Sequence, residues 1–340
     1  MKKFLKRIAL FAAFVLVFFA AGELVVRNIP DSYSYKNRYL TEYGDAVATL
    51  VLGSSHTYYG VRSDLLGDSV FNLANVSQTP DLDLALLHHY AGRLGNLRRV
   101  VLPVSYFTFV DPRLEETSEW FRCVRYKVGM HLPEHSDLSK YNFEISDFEG
   151  YTTKLRSLFG KGAKNRCDSL GWGLGFTVAQ RVAGWKEDGK DRAKSTTLPL
   201  NGRADEVESI IGEIIVFCRE RGVECVLVTT PVWRTCRENM DRRQYSDMKR
   251  RTECLADKWH VRYFDMMADP DFTEEDFHDV DHLSDTGAAK FTVKDSFCLL
   301  LRWRRQIEIV VKTVLSDCYP VFFIHNRYSY FVCYLIMPIL

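Results

Sequence analysis

The sequence carries no surplus of either charge: 45 Lys and Arg stand against 44 Asp and Glu, for a formal net charge of +1. That balance leaves no basic footprint for nucleic acid and no acidic run of the kind that forms a solvating tail. No nucleic-acid partner is therefore expected. The nine cysteines contain no Cys-x-x-Cys pair, which removes the zinc ribbon and the thioredoxin-type redox motif. His-Glu-x-x-His and similar ligand spacings are also missing, so no metal and no cofactor is expected. No internal repeat is visible, and long apolar runs are confined to the two ends.

The N-terminal run is the first positive signal. Lys2, Lys3, Lys6 and Arg7 precede fifteen residues, 8–22, without a charge. Leu24-Val25-Val26 can extend that run towards the roughly 20 residues a bilayer core requires. Positive charge ahead of it keeps the N-terminus in the cytoplasm and sends the rest across. Residues 1–27 thus read as a signal anchor, with cleavage after Ala20-Ala21-Gly22 as the open alternative. Either way the remainder is expected outside the cytoplasm, periplasmic or at the cell surface of a bacterium. Residues 28–45, polar and rich in Tyr and Asn, read as a linker to the domain.

From residue 46 the pattern alternates. Short apolar runs at 46–52, 69–73, 99–104, 225–231 and 261–265 read as strands. Between them, 81–91, 206–221 and 245–259 carry helical patterns; Val207, Ile210, Ile211, Ile214, Ile215 and Cys218 fall on one helical face. Alternating strands and helices predict an α/β domain, a three-layer flavodoxin-like arrangement with a mostly parallel five-stranded sheet. The domain is expected over 46–296. Residues 111–200, aromatic and Gly-rich, break the rhythm and read as an insertion over the carboxyl edge of the sheet, where long loops act as lids or binding surfaces. Residues 297–340 form an apolar and basic tail of different character, expected to contribute nothing to the site.

Two short motifs carry chemistry. Leu52-Gly53-Ser54-Ser55-His56 is a strand followed by a tight turn and hydroxyls, at the sheet edge where open α/β folds bind ligands. Near the other end stand Asp279 and His282, three apart on a loop leading into a helix. A carboxylate so placed can hold one imidazole nitrogen and leave the other facing a nucleophile. Asp281 is the alternative orienter. His88 and His89 read as structural, His56 as turn-facing, and Trp233 as either packing or site-lining.

A strand ending in Gly-x-Ser near the start of the domain, with Asp-x-x-His-Leu-x-x-x-Gly-Ala near its end, resembles the SGNH/GDSL hydrolase superfamily. The likeness is closest to its membrane-anchored, extracytoplasmic branch, which includes the D-alanyl-transfer proteins of teichoic acid and the alginate O-acetylation proteins. The resemblance implies Ser55 as nucleophile, His282 as base and Asp279 as its orienter. The family's second block supplies an oxyanion-hole glycine where this chain has Asn72-Leu73-Ala74-Asn75. Its third supplies an asparagine where this chain has Val104-Ser105-Tyr106-Phe107. Ala74, Asn75 and Ser105 are thus the expected oxyanion and substrate-binding positions. The implied activity is that of a serine esterase or O-acyltransferase on acyl esters, acetyl above all, of cell-envelope carbohydrate. Its substrate would be an acylated polysaccharide or a small ester, and its partners the membrane and a membrane-bound O-acyltransferase. The competing expectation is a catalytically silent scaffold or carbohydrate-binding subunit that keeps the fold.

Overall fold

The computed structural model describes residues 1–132, 142–160, 167–199 and 202–294. The expected tail at 297–340 and most of the basic Gly-rich stretch at 159–164 lie outside those residues. Five strands, β1 (Thr49–Val51), β2 (Val70–Asn72), β3 (Arg99–Pro103), β4 (Glu224–Thr229) and β5 (Arg262–Asp265), form one sheet in the order β2-β1-β3-β4-β5. All four pairings are parallel. This is the flavodoxin-like order, and the expected fold class is the one observed.

The central strands read as unbroken apolar runs because both faces of the sheet are covered: Leu50, Val51, Val100, Val101, Val226 and Leu227 are fully buried. The β5 edge begins with Arg262 and ends with Asp265, its least buried positions, which blunts it against further pairing.

Ten α-helices accompany the sheet among the described residues. In chain order they are α1 (Lys2–Arg27), α2 (Ser32–Tyr43), α3 (Ser55–Gly60), α4 (Pro80–Tyr90), α5 (Phe148–Ser157), α6 (Gly189–Ser195), α7 (Arg203–Glu220), α8 (Arg234–Arg237), α9 (Arg242–Trp259) and α10 (Asp285–Val293). The chain steps from β1 outward to β2, then reverses past β1 to β3, β4 and β5. Right-handed crossovers therefore put α3 on one face and α4, α7 and α9 on the other. The contacts agree: α7 touches both α4 and α9, while α10 packs on α3.

Helix α1 runs 26 residues with a mean hydropathy of 2.5 in its most apolar window, none of that window buried. At about 39 Å it is long enough to cross a bilayer. Within the stretch read as a linker, residues 32–43 instead form α2. Its composition is polar, yet Tyr33, Lys36 and Leu40 fall on one face and are buried. Asp31 and Ser34 close a capping box at its start. Tyr39 stacks on Phe71 of β2 with ring centroids 4.3 Å apart. The chain between β3 and α7 contains α5 and α6, joined by short 3-10 turns.

Candidate active site

The turn after β1 is built around Gly53, whose φ of +103° is one that residues with a side chain rarely adopt. A Cβ there would also collide with the Pro103 ring at the end of β3. The Gly53 N–H donates to Asp83 Oδ1 at 2.9 Å, and Thr57 Oγ1 donates to the Leu52 carbonyl at 2.6 Å. So fixed, the turn delivers Ser55 as the first residue of α3, with Ser54 at the cap. The Ser55 N–H has no hydrogen-bond acceptor among the described residues, as expected for a helix's first N–H.

The second half of the site is a closed loop. Phe277 and Leu283 form an antiparallel bridge, and the His278 N–H donates to the His282 carbonyl at 2.9 Å. Inside it, Asp279 Oδ1 accepts the N–H groups of Asp281 and His282 at 3.0 and 2.8 Å. Asp279 therefore shapes the turn that carries its own partner. Its two carboxylate oxygens lie 3.0 Å from His282 Nδ1, and His282 Nε2 lies 2.8 Å from Ser55 Oγ. Ser55, His282 and Asp279, separated by more than 220 residues, thus stand in the order and spacing of a serine-hydrolase triad.

A second carboxylate joins them. Asp281 Oδ1 is 3.2 Å from His282 Nδ1, while its Oδ2 accepts the Arg192 Nε–H at 2.6 Å and faces His56 Nε2 at 3.4 Å. His56 Nδ1 in turn meets Ser105 Oγ at 2.8 Å. Burial alone would lower the pKa of His282, but the charge of Asp281, then that of Asp279, raises it well above the ordinary imidazole value. His56 goes the other way: burial dominates and lowers its pKa. Burial pushes the Asp281 carboxyl upward, yet His282, His56 and Arg192 together hold it well below the usual range. His56 thus bridges Asp281 through Nε2 and Ser105 through Nδ1.

His56, Asp281 and His282 present ligand atoms within 4.8 Å of one another, close enough to hold a metal ion. Arg192 already neutralises the only carboxylate of that group, so an ion there would place two cations on Asp281. The trio does not fit a metal as it stands.

The expected oxyanion positions divide. Ala74 is fully buried; its N–H donates to Asn72 Oδ1 at 3.1 Å and its carbonyl accepts from the Lys36 ammonium. Asn75 is also buried, with its amide on the Leu73 carbonyl and Gln78 Oε1 and its N–H on the Gly53 carbonyl. Neither offers a donor to the cavity. The reason is local: β2 ends at Asn72, so the residues beyond it satisfy their backbone groups through side chains and the neighbouring turn. Ser105 does reach the cavity wall, with its hydroxyl engaged by His56.

The cavity in front of Ser55 has a volume of about 810 Å³, within the usual range for small-molecule sites. Its wall includes Phe176 and Arg192 from the chain between β3 and α7, together with carboxyl groups at positions 111, 188, 191, 279 and 281. Phe176 stacks on Tyr59 at 3.7 Å and on His278 at 4.2 Å between ring centroids. That chain therefore reaches the cavity beside Ser55. Trp233 sits elsewhere, against Trp185 and Phe277, in a packing role. His88 packs on Phe217, as a structural residue would.

His56 in the buried relay and Arg192 are the residues the sequence did not disclose. His56 had proximity to Ser55 as its only signal. Arg192 had none, since 89 residues separate it from Asp281.

No family model matches the chain, and no curated protein matches it either. Among solved structures, the chain is similar to a crystal structure of a protein from Bacteroides fragilis NCTC 9343, provisionally described as an acylhydrolase. The identity is 10% and the TM-score 0.37, over 78% of this chain and 96% of that one.

Proposed function

We propose that the protein is a serine acyl-transfer enzyme working through Ser55, His282 and Asp279. One observation carries the reading: the continuous line from Ser55 Oγ through His282 Nε2 and Nδ1 to the Asp279 carboxylate, at 2.8 and 3.0 Å. In the reaction, His282 Nε2 takes the Ser55 proton as Oγ bonds to the ester carbonyl carbon. The imidazolium so formed faces two carboxylates at Nδ1, Asp279 and Asp281. Collapse of the tetrahedral intermediate expels the alcohol, which receives the proton back from His282 and leaves the acyl group on Ser55. Water or a sugar hydroxyl then takes the acyl group by the reverse path, giving an esterase or an O-acyltransferase. With α1 as an anchor and the motif resemblance described above, the acyl donor or acceptor is proposed to be cell-envelope carbohydrate outside the cytoplasm, with a membrane-bound O-acyltransferase as partner.

The oxyanion hole is thin. With the Ala74 and Asn75 donors committed elsewhere, the Ser105 N–H on Thr108 Oγ1 and its hydroxyl on His56, the N–H of Ser55 itself is the donor left to hold the oxyanion. One missing donor costs about 3–4 kcal/mol of transition-state stabilisation. That observation specifically supports the second reading, a silent scaffold that keeps the fold.

The two readings separate on fluorophosphonate labelling of the full chain in detergent. An acyl-transfer enzyme labels as wild type and as Ser54→Ala but not as Ser55→Ala. A folded wild type that never labels overturns the enzymatic reading.

A further inference from the structure

Helix α5 is amphipathic in the wrong direction for a helix of a water-soluble domain. Phe148, Tyr151, Leu155 and Phe159 recur at i, i+3, i+7 and i+11, one stripe along the helix and its first following turn. Yet Phe148 is 69% exposed, Leu158 beside the stripe is 55% exposed, and Phe159 is 80% exposed. The face turned inward is the polar one. Lys154 Nζ meets Glu144 at 2.7 Å and Asp31 at 2.9 Å, and the Asp147 cap is paired with Arg125. Among the described residues, the two ends of the stripe are thus left uncovered at Phe148 and Phe159 over a charged interior, while its centre is half-buried. Phe143, immediately before this segment, is exposed as well.

The neighbour of that face is α1. Tyr151, at the centre of the stripe, packs so closely on Gly22 that a Cβ there would run into its hydroxyl. Glu23 Oε1 accepts the Glu144 N–H at 2.8 Å, and the Arg27 guanidinium donates to the Asn142 carbonyl. Three points at the C-terminal end of α1 are thus tied to the segment carrying the exposed phenylalanines. Eight residues below Gly22, about 12 Å along the helix axis, stands Phe14 in the middle of the apolar run. The α5 stripe therefore lies at the depth where a spanning helix leaves hydrocarbon for headgroups, the zone favoured by aromatic side chains.

We infer that α5 is an interfacial membrane helix. Its Phe148–Phe159 stripe lies in the surface of the bilayer that α1 crosses, so that the domain rests on the membrane rather than hanging from it. The occupant of the exposed apolar face is lipid. This rests on α1 being a membrane anchor and not on the catalytic reading. Burial of one apolar face in the headgroup boundary is the usual mode for such helices. Here α1 holds the helix at the surface and removes most of the entropic cost of docking it.

The test uses the full chain reconstituted in vesicles of phosphatidylethanolamine and phosphatidylglycerol. The photo-reactive residue benzoylphenylalanine replaces one position at a time: 148, 159, 14 within α1, and 250. Arg250 lies on α9, which packs beside β5 at the opposite edge of the sheet from β2. On illumination, lipid adducts are expected at 148 and 159 in yields comparable with 14, and none at 250. Adducts at 14 without adducts at 148 and 159 overturn the inference while leaving the anchor intact. No adduct at 14 overturns the anchor and the inference together.

Discussion

Two buried regions of this molecule are held together by opposite means. Under the sheet, β1, β3 and β4 bury Val and Leu side chains with almost no polar atoms among them. Beside α2 and α5, the buried centre is ionic: Arg125 meets Asp31, Glu144 and Asp147 at 3.1, 2.8 and 2.5 Å, and Lys154 shares two of those carboxylates. The lysine and arginine hold Asp31 below its ordinary carboxylate range, although burial pushes it upward. An apolar core tolerates loss of one partner as a cavity, whereas an ion cluster left with an unpaired charge does not. The sheet carries the candidate chemistry; the ionic region ties the domain to α1.

The comparison predicts where each kind of damage travels. The largest effect is chemical and should leave both regions standing. Ser55→Ala is expected to lower esterase rate on the order of 10⁴-fold or more, with an unchanged circular dichroism spectrum. Asp279→Asn should approach that loss, because the turn survives but the imidazole keeps only Asp281 as a negative partner. If Asp281→Asn proves the more damaging of the two, the orienting role moves to Asp281.

Next in size, Arg125→Met leaves Asp147 without its cation and Asp31 and Glu144 to Lys154 alone, and should cost about 3–5 kcal/mol. The loss should appear first as proteolysis of the chain around α5, with the sheet melting later. Leu227→Ala should cost about 2–5 kcal/mol and lower the single main transition instead. Coincident transitions in the Arg125→Met protein would break the distinction between the regions.

The smallest effect is in pH. His282 must be neutral to accept the Ser55 proton, and its two carboxylates raise its pKa above the ordinary imidazole value near 6.5. Activity should therefore be lost as pH falls through that raised value, and kcat/KM should still be climbing above neutrality. Asp279→Asn removes one negative neighbour and should move this limb to lower pH. The sign for stability is the reverse. The imidazolium–carboxylate pairing contributes fully below about 6.5 and fades as pH rises through the folded-state pKa. A pH–rate profile flat from 6 to 9 would contradict the assignment of His282 as base.

The sheet was legible because its strands are buried on both faces, which writes an unbroken apolar run into the sequence at 99–104 and 225–231. The approach of Ser55, His282 and Asp279 was legible because Gly53 and Asp279 each shape the turn that carries these residues. What depended on distant partners was not legible. Asp281 finds Arg192 across 89 residues, and α2 hides a buried face under a tyrosine-rich, polar composition. Ala74 was misplaced for the same reason: whether an N–H faces a cavity or a neighbouring asparagine is decided by where β2 ends, and no residue type signals that.

The cavity wall has a further consequence. Carboxyl groups at 83, 111, 119, 188, 191, 279 and 281 line it together with the basic Arg192 and His282. Burial raises the Asp111 carboxyl to about 7, so that it is partly uncharged at neutral pH, but the remaining field is negative. A chamber of this sign works as a filter. On the proposed acyl-transfer reading, polyuronates and phosphodiester chains are expected to be disfavoured there, and neutral acylated sugars or esters bearing an ammonium group favoured. Of two acetylated saccharides differing only by a carboxylate, the uncharged one should be turned over faster, and added salt should narrow the gap.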